Sequence, residues 1–193
     1  MTMAVKWMTA AAALLLCVDA APSHAQLKNE NLLFSPPTGF KVGFQDSRNG
    51  VRLQEWVPSN ETVQDWSEMV TVQIFINRGD LDPAKVLGDI AQRWGTACKG
   101  STGEAVAATR VNGYGAATMM LRCPLNGQTG KPETTVFRSV QGADSLYLVQ
   151  RAVRALPGPD KLQQMKAYLA TMSVCDTRAP AHPCPALTPI DRK

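Results

Sequence analysis

Histidine is nearly missing from this chain. Only two occur in 193 residues, His24 near the N-terminus and His182 near the C-terminus. Ser-His-Asp and Cys-His mechanisms need an imidazole within the folded unit, and residues 26–175 hold none. Neither G-x-x-x-x-G-K-[ST] nor G-x-G-x-x-G occurs, which removes the common phosphate and dinucleotide cradles. Gly113-Tyr114-Gly115 is a two-glycine fragment that a strand turn explains. No C-x-x-C is present to pair with His182, so a zinc site lacks ligands. No cofactor and no metal are therefore expected. Long apolar runs are also lacking. Trp7–Val18 is an uncharged stretch of twelve residues, short of the ~20 that span a bilayer. A large excess of one charge sign is lacking too. The net charge is +4 and the lysines and arginines are scattered, a pattern of ordinary solvated surface that excludes a nucleic-acid partner.

What is present begins with an address. Lys6, the apolar stretch after it, and Ser23-His24-Ala25 with small residues at −3 and −1 follow the order of a secretory signal peptide. Cleavage after Ala25 leaves 168 of the 193 residues, about one domain. Lys6 and Asp19 depart together, so the net charge is unchanged. Leu16 before Cys17 argues against a lipoprotein cysteine. The mature protein is thus expected to be periplasmic or secreted, with no transmembrane segment.

Five cysteines fall to four once Cys17 is removed: Cys98, Cys123, Cys175 and Cys184. An even number in an oxidising compartment reads as two disulfides, and four cysteines permit three pairings. Position along the chain favours Cys98–Cys123 with Cys175–Cys184. A link from Cys98 to Cys175 stays open.

Periodicity supplies the architecture. Gln26–Leu33 reads as a polar lead-in and Phe34–Phe40 as a proline-rich turn. Lys41–Gln45 and Val51–Val57 flank Asn49-Gly50, a strong hairpin dipeptide. Asn60–Glu68 is ambiguous between loop and helical turn. Met69–Ile76 alternates, with Val70, Val72, Ile74 and Ile76 on one face. Asp82 and Pro83 suit the cap and first turn of a helix whose stripe is Val86, Leu87, Ile90, Ala91 and Trp94. Glu104–Arg110 and Gly115–Cys123 flank Asn112-Gly113. Thr134–Val140 and Ser145–Val153 form a further pair. Gly158-Pro159-Asp160 opens a second helix bearing Leu162, Met165, Leu169 and Met172. The sum is an α+β domain over residues 26–175, a largely antiparallel sheet of about six strands with two amphipathic helices packed on it. Residues 176–193 form a Pro-rich tail, expected to be irregular.

This order resembles the Mog1/PsbP-like α/β/α sandwich over about Leu32–Cys175. The features that carry the resemblance are Pro36-Pro37-Thr38-Gly39-Phe40, the hairpins before the first helix, Asn112-Gly113-Tyr114 opening a strand, Leu146-Tyr147-Leu148, and the closing helix. Glu55-Trp56-Val57-Pro58 followed by Trp66-Ser67-Glu68-Met69 is similar to uncharacterised exported proteins of proteobacteria. Mog1 proteins bind a GTPase and PsbP proteins serve photosystem II; fold resemblance transfers neither role.

Glu55, Glu61, Asp65 and Glu68 are the densest acidic cluster. With Trp56 and Trp66 they suggest an aromatic and acidic recess for a sugar or a cation, set against tryptophans that pack in the core beneath solvated acids. Glu55, Trp56, Trp66 and Glu68 are the candidate binding residues. Met119, Met120, Met165 and Met172 lie on strand and helix patterns and read as core, not as a copper site. Asn60-Glu61-Thr62 matches a glycosylation sequon by coincidence in a bacterial protein. The composition therefore points to an exported, non-enzymatic protein that binds a partner protein or envelope component. A small-ligand or lipid carrier is the alternative, and a carboxylate-based hydrolase the third reading.

Overall fold

The computed structural model describes residues 27–186. The expected signal peptide at 1–25, with Cys17, and the tail beyond residue 186 lie outside the described residues. Local chemistry sets the elements. β2 (Phe40–Arg48) and β3 (Val51–Pro58) are joined through Asn49 and Gly50, whose φ values are 52° and 74°. Asn112 and Gly113 do the same at 46° and 83° between β6 (Ala107–Val111) and β7 (Tyr114–Cys123). Two successive left-handed residues match the twist of paired strands, which is why Asn-Gly serves at both tips. α1 (Pro83–Ala97) starts where the Asp82 carboxylate accepts the Lys85 N–H at 2.7 Å, satisfying a free helix-end donor. Gly95 is passed over, and Gly100 at φ 74° redirects the chain after the helix. α2 (Pro159–Ala170) opens behind Gly158.

The main sheet has eight strands and is wholly antiparallel. Its order is β2, β3, β4 (Glu68–Phe75), β9 (Leu146–Val153), β8 (Glu133–Gln141), β7, with the short β5 (Thr102–Gly103) and β6 both lying along the far edge of β7. Adjacent residues of a strand face opposite sides, and β7 shows the consequence. Met119 packs with Leu87 of α1, whereas Met120 packs with Leu162, Met165 and Leu169 of α2. The helices therefore sit on opposite faces. Leu87 and Met165, both fully buried, anchor them. Each such side chain contributes about 1.5 to 3 kcal/mol of burial. Of the stripe expected on α1, Leu87, Ile90, Ala91 and Trp94 do meet the sheet.

The α+β class and the placement of helices hold; the strand count does not. The expectation of about six strands misses β5, and it misses a separate two-stranded ribbon. β1 (Glu30–Leu33) pairs antiparallel with β10 (Ser173–Asp176), with Glu30 opposite Asp176. The residues read as a polar lead-in are therefore a strand. Residues 177–186 have no regular structure, yet they fold back on the domain. The Asp176 N–H donates to the His182 carbonyl at 2.8 Å, and the His182 ring stacks on Tyr114 with centroids 3.7 Å apart. Cys98 is bonded to Cys123, fastening the end of α1 to the end of β7. Cys175 is bonded to Cys184, closing the tail onto β10. Among the described residues no helix is long and apolar enough to cross a membrane.

Candidate functional site

The four candidate binding residues do not converge. β3 and β4 are in register with Glu55 opposite Thr71 and Trp56 opposite Val70. Neighbours along β3, Glu55 and Trp56 thus face opposite sides of the sheet. Trp66 packs with Val57, Met69 and Ala152 on the α1 side, held by Val63 of the 59–67 loop. Glu68 lies on the α2 side, where Arg151 Nη2 approaches it at 2.7 Å and Lys161 of α2 completes the ion pair. One acid and one tryptophan stand on each face, so the acidic and aromatic recess is not formed.

The acids are also engaged separately. Burial pushes the Glu68 carboxyl up, but hydrogen bonds and charge from Lys161 and Arg151 outweigh it and leave the group below its ordinary value. Asp65 is held low by Lys131, with Arg154 adding to it. Arg154 itself lies over the Trp66 ring, 4.3 Å from its centroid. Glu61 accepts from the Ser67 N–H and hydroxyl at 2.6 and 2.7 Å. Glu55 has no such cation, and burial alone raises it. Two facing carboxyls, which acid-base hydrolysis requires, are not assembled from Glu55, Asp65 and Glu68.

A different place is concave. On the α2 side of the sheet, α2 packs over β8 and β9 and stops short of β2 and β3. The exposed strip becomes the floor of a groove. Its cavity of about 610 Å³ is bordered by Trp56, Val72 and Ile74 below, Leu32, Phe34 and Pro36 along one wall, and Arg52 and Gln54 toward the open side. A second cavity of about 530 Å³ continues it toward the β2–β3 tip and shares Arg52, Gln54, Val72 and Ile74. Volumes of this size suit an organic ligand or a bound chain segment.

The wall is fixed by hydrogen bonds. The Tyr168 hydroxyl donates to the Ser35 carbonyl at 2.9 Å, and the Tyr168 ring meets Phe34 edge-on at 6.3 Å. Below it, the Glu30 carboxylate receives the Ala143, Asp144 and Ser145 backbone N–H groups at the β8–β9 turn, together with the Tyr147 hydroxyl at 2.9 Å. Gly142 makes this possible, because a Cβ there would collide with the carboxylate. Burial first, then hydrogen bonding and charge from Glu30, push the Tyr147 hydroxyl well above its ordinary value. Asp144, the other acid of the groove, is bound to Arg178 at 2.6 Å. Both acids bordering the first cavity are thereby occupied by the protein itself.

Beside the groove runs the free edge of the sheet. Among the described residues β2 pairs only with β3, and it carries Val42, on the face of Trp56, and Phe44, on the opposite face with Glu55, each 41% exposed. A bulge falls between Val42 and Phe44. Gly43 lies at the bulge because a Cβ there would stand 2.8 Å from Val63 and 3.0 Å from Val57.

Of the groove residues only Trp56 was singled out from the sequence. The others left traces. Arg52, Gln54 and Trp56 share one parity on an alternating strand, and Val72 and Ile74 share one face of β4. Their adjacency depends on the β3–β4 register, and Phe34 sits in a segment that reads as a turn.

No family model matches the chain, and no curated protein matches it. Solved structures do. The chain is similar to the Ran-binding protein Mog1p of Saccharomyces cerevisiae, at 9% identity over 74% of this chain and 85% of that one, with a TM-score of 0.41. LpqN of Mycobacterium tuberculosis, described as involved in cell envelope biogenesis, aligns at 15% identity over 78% and 87%, with a TM-score of 0.40. The cyanobacterial PsbP (CyanoP) of Synechocystis aligns at 12% identity over 81% and 97%, with a TM-score of 0.47. Mog1 and PsbP are the names that the element order suggests, and the function is to be read from this chain's own residues.

Proposed function

We propose that this is an exported, non-enzymatic binding protein, and that the uncovered β2–β3–β4 half of the sheet is its binding face. The observation that carries this reading is the offset of the helices. Both pack mainly on β7, β8 and β9, leaving a concave strip with Phe34, Trp56 and Ile74 beside an open edge whose Val42, opposite Trp56, shares that face. Exposed apolar groups gathered at a concavity mark interaction surface, whereas isolated ones do not. Two disulfides suit an oxidising compartment such as the periplasm. The ligand is a partner protein or an envelope component.

Chemical crosslinking in the exporting cell tests this. Wild type is expected to yield a discrete adduct that Trp56→Ala with Val42→Ser abolishes while thermal unfolding remains cooperative. An adduct of unchanged yield in that double variant refutes the assignment of the face. A carrier of a small ligand is favoured by one observation, the volume of the groove, and is developed next.

A further inference from the structure

We infer that the groove takes a monoanionic amphiphile, a carboxylate head on an aliphatic chain, with Arg52 receiving the head and Trp56, Ile74 and Phe34 the chain. This rests on the reading of the uncovered half as the binding face and names the ligand class. The argument begins with charge. The charged side chains bordering the two joined cavities are Glu30, Asp46, Asp144 and Arg52. Glu30 is saturated by four donors of the β8–β9 turn and Tyr147. Asp144 is paired with Arg178. Asp46 is paired with Arg48 at 2.6 Å and also accepts the Ser47 N–H. Glu30 and Arg52 enter no ion pair among the described residues, but the Glu30 oxygens are filled by neutral donors, whereas the Arg52 guanidinium makes no hydrogen bond there. Arg52 is thus the one charged side chain of the groove whose hydrogen-bonding positions are unfilled, and it stands where the two cavities meet.

Apolar surface then selects what accompanies the anion. Val72 is buried, and Trp56, Ile74, Leu32 and Phe34 are half-buried around the same space. Half-buried aliphatic and aromatic groups lining a cavity of about 610 Å³ gain from an apolar chain laid over them. The head is monoanionic because one guanidinium matches one carboxylate in a fork of two hydrogen bonds. A phosphate monoester carries about −1.5 to −2 charge and finds no second unpaired cation in the groove. Arg52 is exposed, so its ion pair is weak, and most of the affinity comes from the chain.

Isothermal titration of the mature, disulfide-bonded protein with dodecanoate below its micellar concentration tests this. Saturable binding is expected, with dodecyltrimethylammonium and dodecyl phosphate each about tenfold weaker or worse. Arg52→Glu replaces a modest attraction by a repulsion and is expected to weaken dodecanoate about tenfold. Trp56→Ala is expected to weaken all three probes alike, and Lys41→Glu, on β2 outside the groove, none. Thermal unfolding of each variant shows that it is folded. Absence of dodecanoate binding, equal binding of the cationic probe, or an Arg52→Glu variant with wild-type affinity would each overturn the inference. If the crosslinked adduct of the previous section is still lost in its double variant while dodecanoate does not bind, the binding face stands and only the ligand class falls.

Discussion

The sheet is two structures joined along β4 and β9. At one end β8 is covered on both faces, by α1 and α2, and its Thr134, Thr135, Phe137, Ser139 and Val140 are all buried. At the other end β2 is exposed along most of its length and ends the sheet. The Cys98–Cys123 bond ties α1 to β7 in the covered half, and Cys175–Cys184 ties the tail to β10. Neither braces β2 or β3. Stability is therefore concentrated where the helices lie, which leaves the other half free to present a surface on a rigid support. Substitutions in the two halves should separate cleanly, those in the first acting on folding and those in the second on binding.

The largest effect should come from the covered half. Phe137, 1% exposed and edge-on to Trp94 at 6.1 Å, joins α1 to the sheet. Phe137→Ala is expected to lower stability by about 3 to 5 kcal/mol in urea unfolding. Replacing Cys98 and Cys123 together by serine opens a loop of 25 residues, and the loss should be about 3.5 kcal/mol. Glu30→Gln tests the link between halves. It removes the charge from an acceptor of three backbone N–H groups and the Tyr147 hydroxyl, and about 2 kcal/mol should be lost. Glu68→Gln probes the contact of α2 with β4. The native carboxyl is held below its unfolded value, so its contribution is present at neutral pH and disappears as pH falls through the folded value. The stability gap between wild type and variant, about 2 kcal/mol at pH 7, should close on acid titration. Phe44→Ser, in the open half, should change stability by less than about 0.5 kcal/mol. A larger loss at Phe44 than at Phe137 would reverse the comparison.

The same division governs what the sequence reveals. α1 is legible because Asp82-Pro83 marks its start and Leu87, Ile90, Ala91 and Trp94 mark its buried stripe. The two Asn-Gly tips are legible because few residues adopt consecutive positive φ angles. The even cysteine count announces two disulfides. Each of these depends on neighbours in the chain. The ribbon of β1 and β10 does not, since Glu30 pairs with Asp176 across the whole domain and its four residues are too short to show a period. Nor does the groove, which needs the β3–β4 register and the docking of Phe34 against Tyr168. Proximity in sequence misleads at Glu55, Trp56, Trp66 and Glu68. Strand alternation parts the first two, and the 59–67 loop turns the chain so that Trp66 and Glu68 lie on different faces.

A photo-crosslinking scan in the exporting cell tests the central claim most directly. A benzophenone side chain is placed in turn at Val42 and Arg52 on the open half, and at Arg93 on α1 and Gln164 on α2, the covered half. Adducts are predicted from Val42 and Arg52 and none from Arg93 or Gln164. Adducts from the helix positions alone would contradict the account, placing the binding face on the half that the helices cover.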